Sequence, residues 1–200
     1  MTAGLALVTG AGRGPGRAVA LALGAAGARV VAIDVNPDAA QRTAAAIAAS
    51  AGASPLAQAV DVSNKLAVQT LLYTLLEAGE RLAVLVNAAH IAPTSPALKM
   101  DEWEWDRTLD VNLKGTFLMS QTVARAMKET GGGLILNLLR PSDSPHAAVR
   151  AARAGLVGLT EALAVEWMPY GVTVESLESV DPVQTGAAVA QRCQAALGAA

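Results

Sequence analysis

Short uninterrupted runs of Val, Leu and Ile alternate along this chain with longer Ala-rich stretches in which apolar residues recur every three or four positions. Runs of this kind are strands buried on both faces, and the longer stretches are helices with one apolar side. The pattern predicts strands at residues 5–9, 29–34, 56–60, 82–87, 134–138 and 172–177, with helices beginning near Gly14, Pro37, Asn64, Asp101 and His146. Strict alternation of strand and helix predicts a doubly wound parallel sheet of about six strands, with helices on both faces, in a single α/β domain. Right-handed crossovers then place any ligand over the carboxy ends of the strands, where the strand order reverses. The stretch from Asp38 to Ala51 reads as a covering helix, with Asn36 and Asp38 as capping groups and Gly52 as its stop.

Composition narrows the function classes. The 200 residues are 52% hydrophobic with a formal net charge of -2, which suits one compact domain. No apolar run is long enough for a membrane span, and no charged leader precedes the first strand, so a cytoplasmic protein without a membrane partner is expected. Basic residues are spread rather than clustered and aromatic residues are 3%, so no nucleic-acid partner is expected. The single Cys193 supports neither a disulfide framework nor a metal cluster, and no metal site is expected.

The glycine segment Thr9-Gly10-Ala11-Gly12-Arg13-Gly14-Pro15-Gly16 follows a predicted strand and opens a predicted helix. In that context backbone amides approach a pyrophosphate and the helix amino terminus favours its charge. Asp34 ends the second strand about 20 residues later, where a carboxylate accepts from adenosine ribose hydroxyls and repels a 2'-phosphate. NAD is therefore expected over NADP. Arg13, a possible phosphate partner in the same loop, pulls the other way. Pro15 removes one backbone donor but suits the first turn of a helix.

These residues, together with Val111-Asn112-Leu113-Lys114-Gly115-Thr116-Phe117, resemble the short-chain dehydrogenase/reductase family, whose glycine pattern T-G-x-x-x-G-x-G is met by Thr9, Gly10, Gly14 and Gly16. The resemblance covers about residues 3–177 and implies a Rossmann-type fold, with a dinucleotide-binding half at 1–90, a catalytic half at 91–177 and a short tail at 178–200. It implies adenine contacts at Asp61 and Val62 and a cofactor-facing turn at Asn87-Ala88-Ala89-His90, where the family has Asn-Asn-Ala-Gly. It also implies that residues 101–130 and 147–168 form a homodimer face. The second of these segments carries two stripes, a bulky one (Val149, Ala152, Leu156, Leu159, Leu163) and a small one (Ala148, Ala151, Gly155, Gly158, Ala162), which pattern alone does not assign to core or interface.

The family's catalytic positions are where the chain departs. Asn112 is retained, but the serine position is Arg140, the tyrosine position is Val149 and the lysine position is Arg153. Valine donates no proton, and an arginine differs from lysine in shape and hydration. Loss of a general acid removes about 100- to 10,000-fold in rate. The expected function is an NAD(P)-binding protein without standard carbonyl chemistry, acting as a regulatory or partner subunit, with a catalytic paralogue among its candidate partners. Two alternatives stand beside it. One is an active oxidoreductase using His90, titrating near neutrality, as its acid. The other is a structural assembly subunit without nucleotide. Arg140 and Arg153 suggest a cleft that holds an anion, unless each reaches solvent or pairs with Asp143 or Glu166. The loop Pro141-Ser142-Asp143-Ser144-Pro145 reads as a turn. The segment 178–183 lacks the family's Pro-Gly turn, and the tail after Thr185 is expected to leave no room for the family's lid helices, a long following helix or a seventh strand, to leave the edge of strand six in need of cover from the tail or a partner, and to disfavour a tetramer built through a seventh strand.

Overall fold

The computed structural model describes residues 4–51, 54–141 and 144–198. Six strands, β1 (Leu5–Thr9), β2 (Arg29–Asp34), β3 (Leu56–Ala59), β4 (Leu82–Asn87), β5 (Gly133–Leu139) and β6 (Val172–Glu178), form one parallel sheet in the order β3-β2-β1-β4-β5-β6. The order reverses between β1 and β4, so the loops after those two strands diverge and leave a crevice above their carboxy ends. The expected fold class is observed.

Strand periodicity explains the layers, because successive side chains of a strand point to opposite faces. On β1, Leu5 and Leu7 join the core on one face and Ala6 and Val8 the core on the other. The first face is covered by α3 (Lys65–Glu77), α5 (Thr116–Glu129) and α6 (Ala147–Trp167), through residues such as Leu72, Met119 and Leu163. The opposite face carries α1 (Gly14–Ala25), α2 (Pro37–Ala51) and α7 (Pro182–Gly198), through Leu23, Ile47 and Val189. Helix starts follow capping chemistry. Asn36, Asn64 and Asp101 each accept from the backbone N–H three residues on, at 3.1, 3.1 and 2.7 Å. Gly52, read as the stop of α2, lies outside the described residues.

Two expectations are corrected here, and one assignment left open by the sequence pattern is made. The segment 101–130 is not one regular helix: α4 (Glu102–Leu109) passes through a π-helical turn, Asp110–Gly115, before α5. A widened turn of this kind inserts a residue without breaking the apolar periodicity, and it commonly marks a functional site. The tail, expected to be too short for a long helix, folds as the 17-residue α7 and packs on α1 across the sheet face, with Val189 and Cys193 buried. Among the described residues, β6 has a strand partner on one side only. Finally, α6 turns its bulky stripe inward, with Val149, Ala152, Leu156 and Leu163 buried, while Ala151, Gly158 and Ala162 of the small stripe are exposed.

Candidate functional site

A cleft of ≈ 470 Å³ runs across the carboxy ends of the strands. Its wall follows the sheet order. Val60, Asp61 and Val62 come after β3, Asp34 ends β2 with Val35 next to it, Gly10 and Arg13 lie in the turn after β1, and Gly14 and Pro15 open α1. Ala88, Ala89, His90, Ile91 and Ala92 follow β4, and Arg140 follows β5. Arg107 of α4 and Val111 of the π-turn close the outer side.

The glycine turn is built for close approach. Gly10 and Gly14 hold left-handed backbone, at φ 62° and 53°. A Cβ on Gly16 would sit 2.3 Å from the Gly10 carbonyl oxygen, so α1 packs back onto its own turn only because that atom is absent. No side chain caps α1, whose first turn carries Pro15. Asp34 buttresses the turn: Gly12 N–H donates to its Oδ2 at 2.8 Å and Asn36 N–H to its Oδ1 at 2.9 Å. Each carboxylate oxygen keeps further acceptor capacity for ribose hydroxyls. Thr9 and Gly16, expected at the cofactor, lie off the cleft wall. The buried Thr9 hydroxyl accepts from the N–H groups of Ala88 and Ala89, at 3.0 and 3.1 Å, and so ties β1 to the loop after β4.

At the far end, Asp61 forms an ion pair with Arg107 at 2.9 Å and accepts from the Ser63 hydroxyl and amide at 2.7 and 3.0 Å. Burial alone would raise the Asp61 pKa, but the Ser63 and Arg107 interactions outweigh it and hold the carboxyl below its ordinary value. Arg107 was not singled out from the sequence. It is one charged residue on an amphipathic helix, and only the crossing of α4 over the loop after β3 gives it meaning. Val62 packs against the π-turn, where a Cβ on Gly115 would come within 2.7 Å of it.

Asn112 sits on the π-turn as a backbone clamp. Its Oδ1 accepts from Ile91 N–H at 2.9 Å and its Nδ2 donates to the Ile91 carbonyl at 2.8 Å. Its side chain thus fixes the loop after β4, and it acts on the cleft through Ile91. Asn87 does similar work beneath: its Nδ2 donates to Ser120 Oγ and Asn137 Oδ1, both at 2.9 Å, while its buried Oδ1 has no hydrogen-bond partner among the described residues.

Val149 and Arg153, at the tyrosine and lysine positions, do not reach the cleft. They border a separate void of only ≈ 20 Å³, together with Asn87, Asn112, Leu139 and Leu156. Such a volume holds about one water molecule. Ala89, His90 and Arg140 border both spaces, which adjoin there. Val149 is buried. Arg153 donates from Nε to the Arg140 carbonyl at 2.8 Å and pairs with Glu178 rather than with Glu166, one of its two expected partners. It is therefore neutralised and tethered away from the cleft, which corrects the picture of a two-cation site. Arg140 makes no side-chain ion pair among the described residues. The turn residues Ser142 and Asp143 lie outside the described residues.

The expectation for His90 is also corrected. Burial first, and the Arg140 charge second, push its pKa down to about 4. Its imidazole is neutral at pH 7, with about one molecule in a thousand protonated. A non-local arrangement sets this value, which the sequence did not reveal.

The fit to a nicotinamide dinucleotide is therefore divided. Asp34, the uncapped glycine turn and the β3-end residues suit an adenosine pyrophosphate. On the other side, the position of the family's proton donor is apolar, and the space beside it admits no ring. Among the described residues there is no cluster suited to a metal ion, and no helix is long and apolar enough to cross a membrane.

Comparison with known proteins agrees with the fold. D-threitol dehydrogenase of Mycolicibacterium smegmatis is 38% identical over 177 residues, 86% of this chain and 68% of that protein. NAD-dependent glycerol dehydrogenase of Listeria innocua is 35% identical over 178 residues, again 86% of this chain and 68% of the relative. A metagenomic short-chain oxidoreductase solved in complex with NADP superposes with a TM-score of 0.90 at 32% identity, covering 96% of this chain and 90% of that one. The family description "short chain dehydrogenase" matches residues 4–193, and the chain belongs to the short-chain dehydrogenase/reductase family of NAD(P)-binding oxidoreductase folds.

Proposed function

We propose that this chain is a nucleotide-binding member of its family that does not reduce carbonyls or oxidise alcohols, and that it serves as a regulatory or partner subunit. The observation that carries the proposal is the ≈ 20 Å³ void at Val149 and Arg153, which offers neither a proton donor nor room for substrate. The neutral, half-buried His90 supplies no imidazolium to replace the tyrosine. Nucleotide binding is supported by the glycine turn and by Asp34, whose charge favours a free ribose and hence NAD over NADP.

Assembly is part of the proposal. The exposed small stripe of α6, with Trp103 at 73% exposure on α4, suits close packing of helices between two copies of this chain or between this chain and a catalytic paralogue. The proposal locates the protein in the cytoplasm, in keeping with a lone, buried, unpaired Cys193. The test is a calorimetric titration with NAD, NADH, NADP and NADPH, paired with a mass measurement and with turnover assays on D-threitol, glycerol and small carbonyl compounds. Saturable binding by a dimer without turnover is expected. Steady production or consumption of NADH would overturn the reading, as would the absence of any nucleotide binding.

A further inference from the structure

Resting on that reading, we propose that the cleft is an adenosine diphosphate site, selective for ADP over AMP and NAD, in which Arg140 takes the free second phosphate at the place where the family's nicotinamide riboside would begin.

The sheet order gives the geometry. From β2 to β1, β4 and β5 the cleft wall presents Asp34, the glycine turn, the Ala88–Ala89 turn and Arg140 in sequence. Asp34 marks the ribose end and the glycine turn the first phosphates. Arg140 follows β5, two strand spacings beyond the turn, or about 10 Å. A diphosphate that starts at the glycine turn and follows the cleft wall would approach Arg140, which lines the same cleft.

Three features make Arg140 an anion ligand rather than a solvated surface charge. Its side chain has no carboxylate partner among the described residues. It is half-buried where the cleft and the small void adjoin. Its backbone is held from behind by the Arg153 bond to its carbonyl. The competing cation is already committed, since Arg153 pairs with Glu178. A planar guanidinium presents paired donors to phosphate oxygens, and the neutral state of His90 leaves no second positive charge beside it. NAD meets the opposite conditions: its diphosphate continues into a riboside and a cationic nicotinamide ring that offer Arg140 no anion, and the adjoining space holds about one water.

The experiment is titration calorimetry of the full chain with ADP, ATP, AMP and NAD, repeated on Arg140→Gln and Arg140→Lys. ADP is expected to bind at least tenfold more tightly than NAD and AMP, and Arg140→Gln to weaken ADP about 10- to 100-fold, the usual worth of charge-assisted hydrogen bonds. Arg140→Lys should recover part of this loss. AMP and NAD should change little. The His90 ring signals give an independent readout in the unmutated protein. An anion on Arg140 removes one of the two influences that lower the His90 pKa, so ADP should raise it and AMP should not. NAD binding as tightly as ADP, or ADP affinity indifferent to Arg140→Gln, would overturn this inference while leaving nucleotide binding intact. Failure of all four nucleotides to bind would overturn both.

Discussion

Acidification should destabilise this protein through His90 at pH values above those at which Asp61 takes part. The imidazole has an ordinary pKa of 6.5 and a native one of about 4, so the unfolded chain binds one more proton than the native chain between those limits. Stability therefore rises with pH across this window. The contribution is fully present above about pH 6.5 and is lost as pH falls toward 4. The difference of about 2.5 pH units, at 1.36 kcal/mol each, gives about 3 kcal/mol, a large share of the 5–15 kcal/mol typical of a domain. Asp61 acts in a separate window. Its native pKa lies below 3.8, so what it contributes is kept above that value and lost only in stronger acid. The assay is urea unfolding at intervals between pH 7.5 and 4, on the unmutated protein and on His90→Gln. The unmutated protein should lose about 3 kcal/mol more than the variant across the window, and Arg140→Gln should shrink that excess by removing one cause of the shift. Parallel stability profiles for the unmutated protein and His90→Gln would refute the buried, neutral imidazole and restore His90 as a candidate acid.

Other consequences follow from single contacts. Val149→Tyr should destabilise the fold by about 1–3 kcal/mol, because a ring must enter a ≈ 20 Å³ void, and should restore no carbonyl reductase activity; thermal melting and an NADH oxidation assay check both parts. Asn112→Ala orphans the Ile91 N–H and carbonyl and should cost about 2 kcal/mol in urea unfolding, with increased amide exchange at Ile91. The Cys193 thiol, pushed up to about 12 chiefly by burial and further by Glu175, should react with a thiol reagent only as fast as the protein unfolds. Gly16→Ala places a methyl 2.3 Å from a backbone oxygen and should lower the melting temperature while abolishing nucleotide binding.

How much of this was legible in the sequence depends on how local the cause is. The six strands and most helix starts were, because uninterrupted Val/Leu/Ile runs, Asn64, Asp101 and the glycine turn write their geometry into a few neighbouring residues. The glycine turn and Asp34 were legible together, since strand, turn and helix fix their separation. The π-turn at Asp110–Gly115 was not, because one inserted residue barely disturbs a helical repeat. Nor was the Arg107–Asp61 pair, which depends on how α4 crosses the sheet. The positions Arg140, Val149 and Arg153 were visible as departures from a family pattern, but their consequence was not. That required the Glu178 pairing, the desolvation of His90 and the division of the site into a cleft and a void, all set by residues far apart in the chain.

The central claim is that the nucleotide cleft survives where the chemistry does not, and the most direct measurement is a single-turnover experiment. Protein in excess over NADH, at a concentration where calorimetry shows the NADH to be bound, is mixed with a panel of small aldehydes and ketones while NADH absorbance is followed. The account predicts that absorbance stays at the level of a protein-free control for every compound. Consumption of one equivalent of bound NADH with any of them would contradict it and place an active acid at this site.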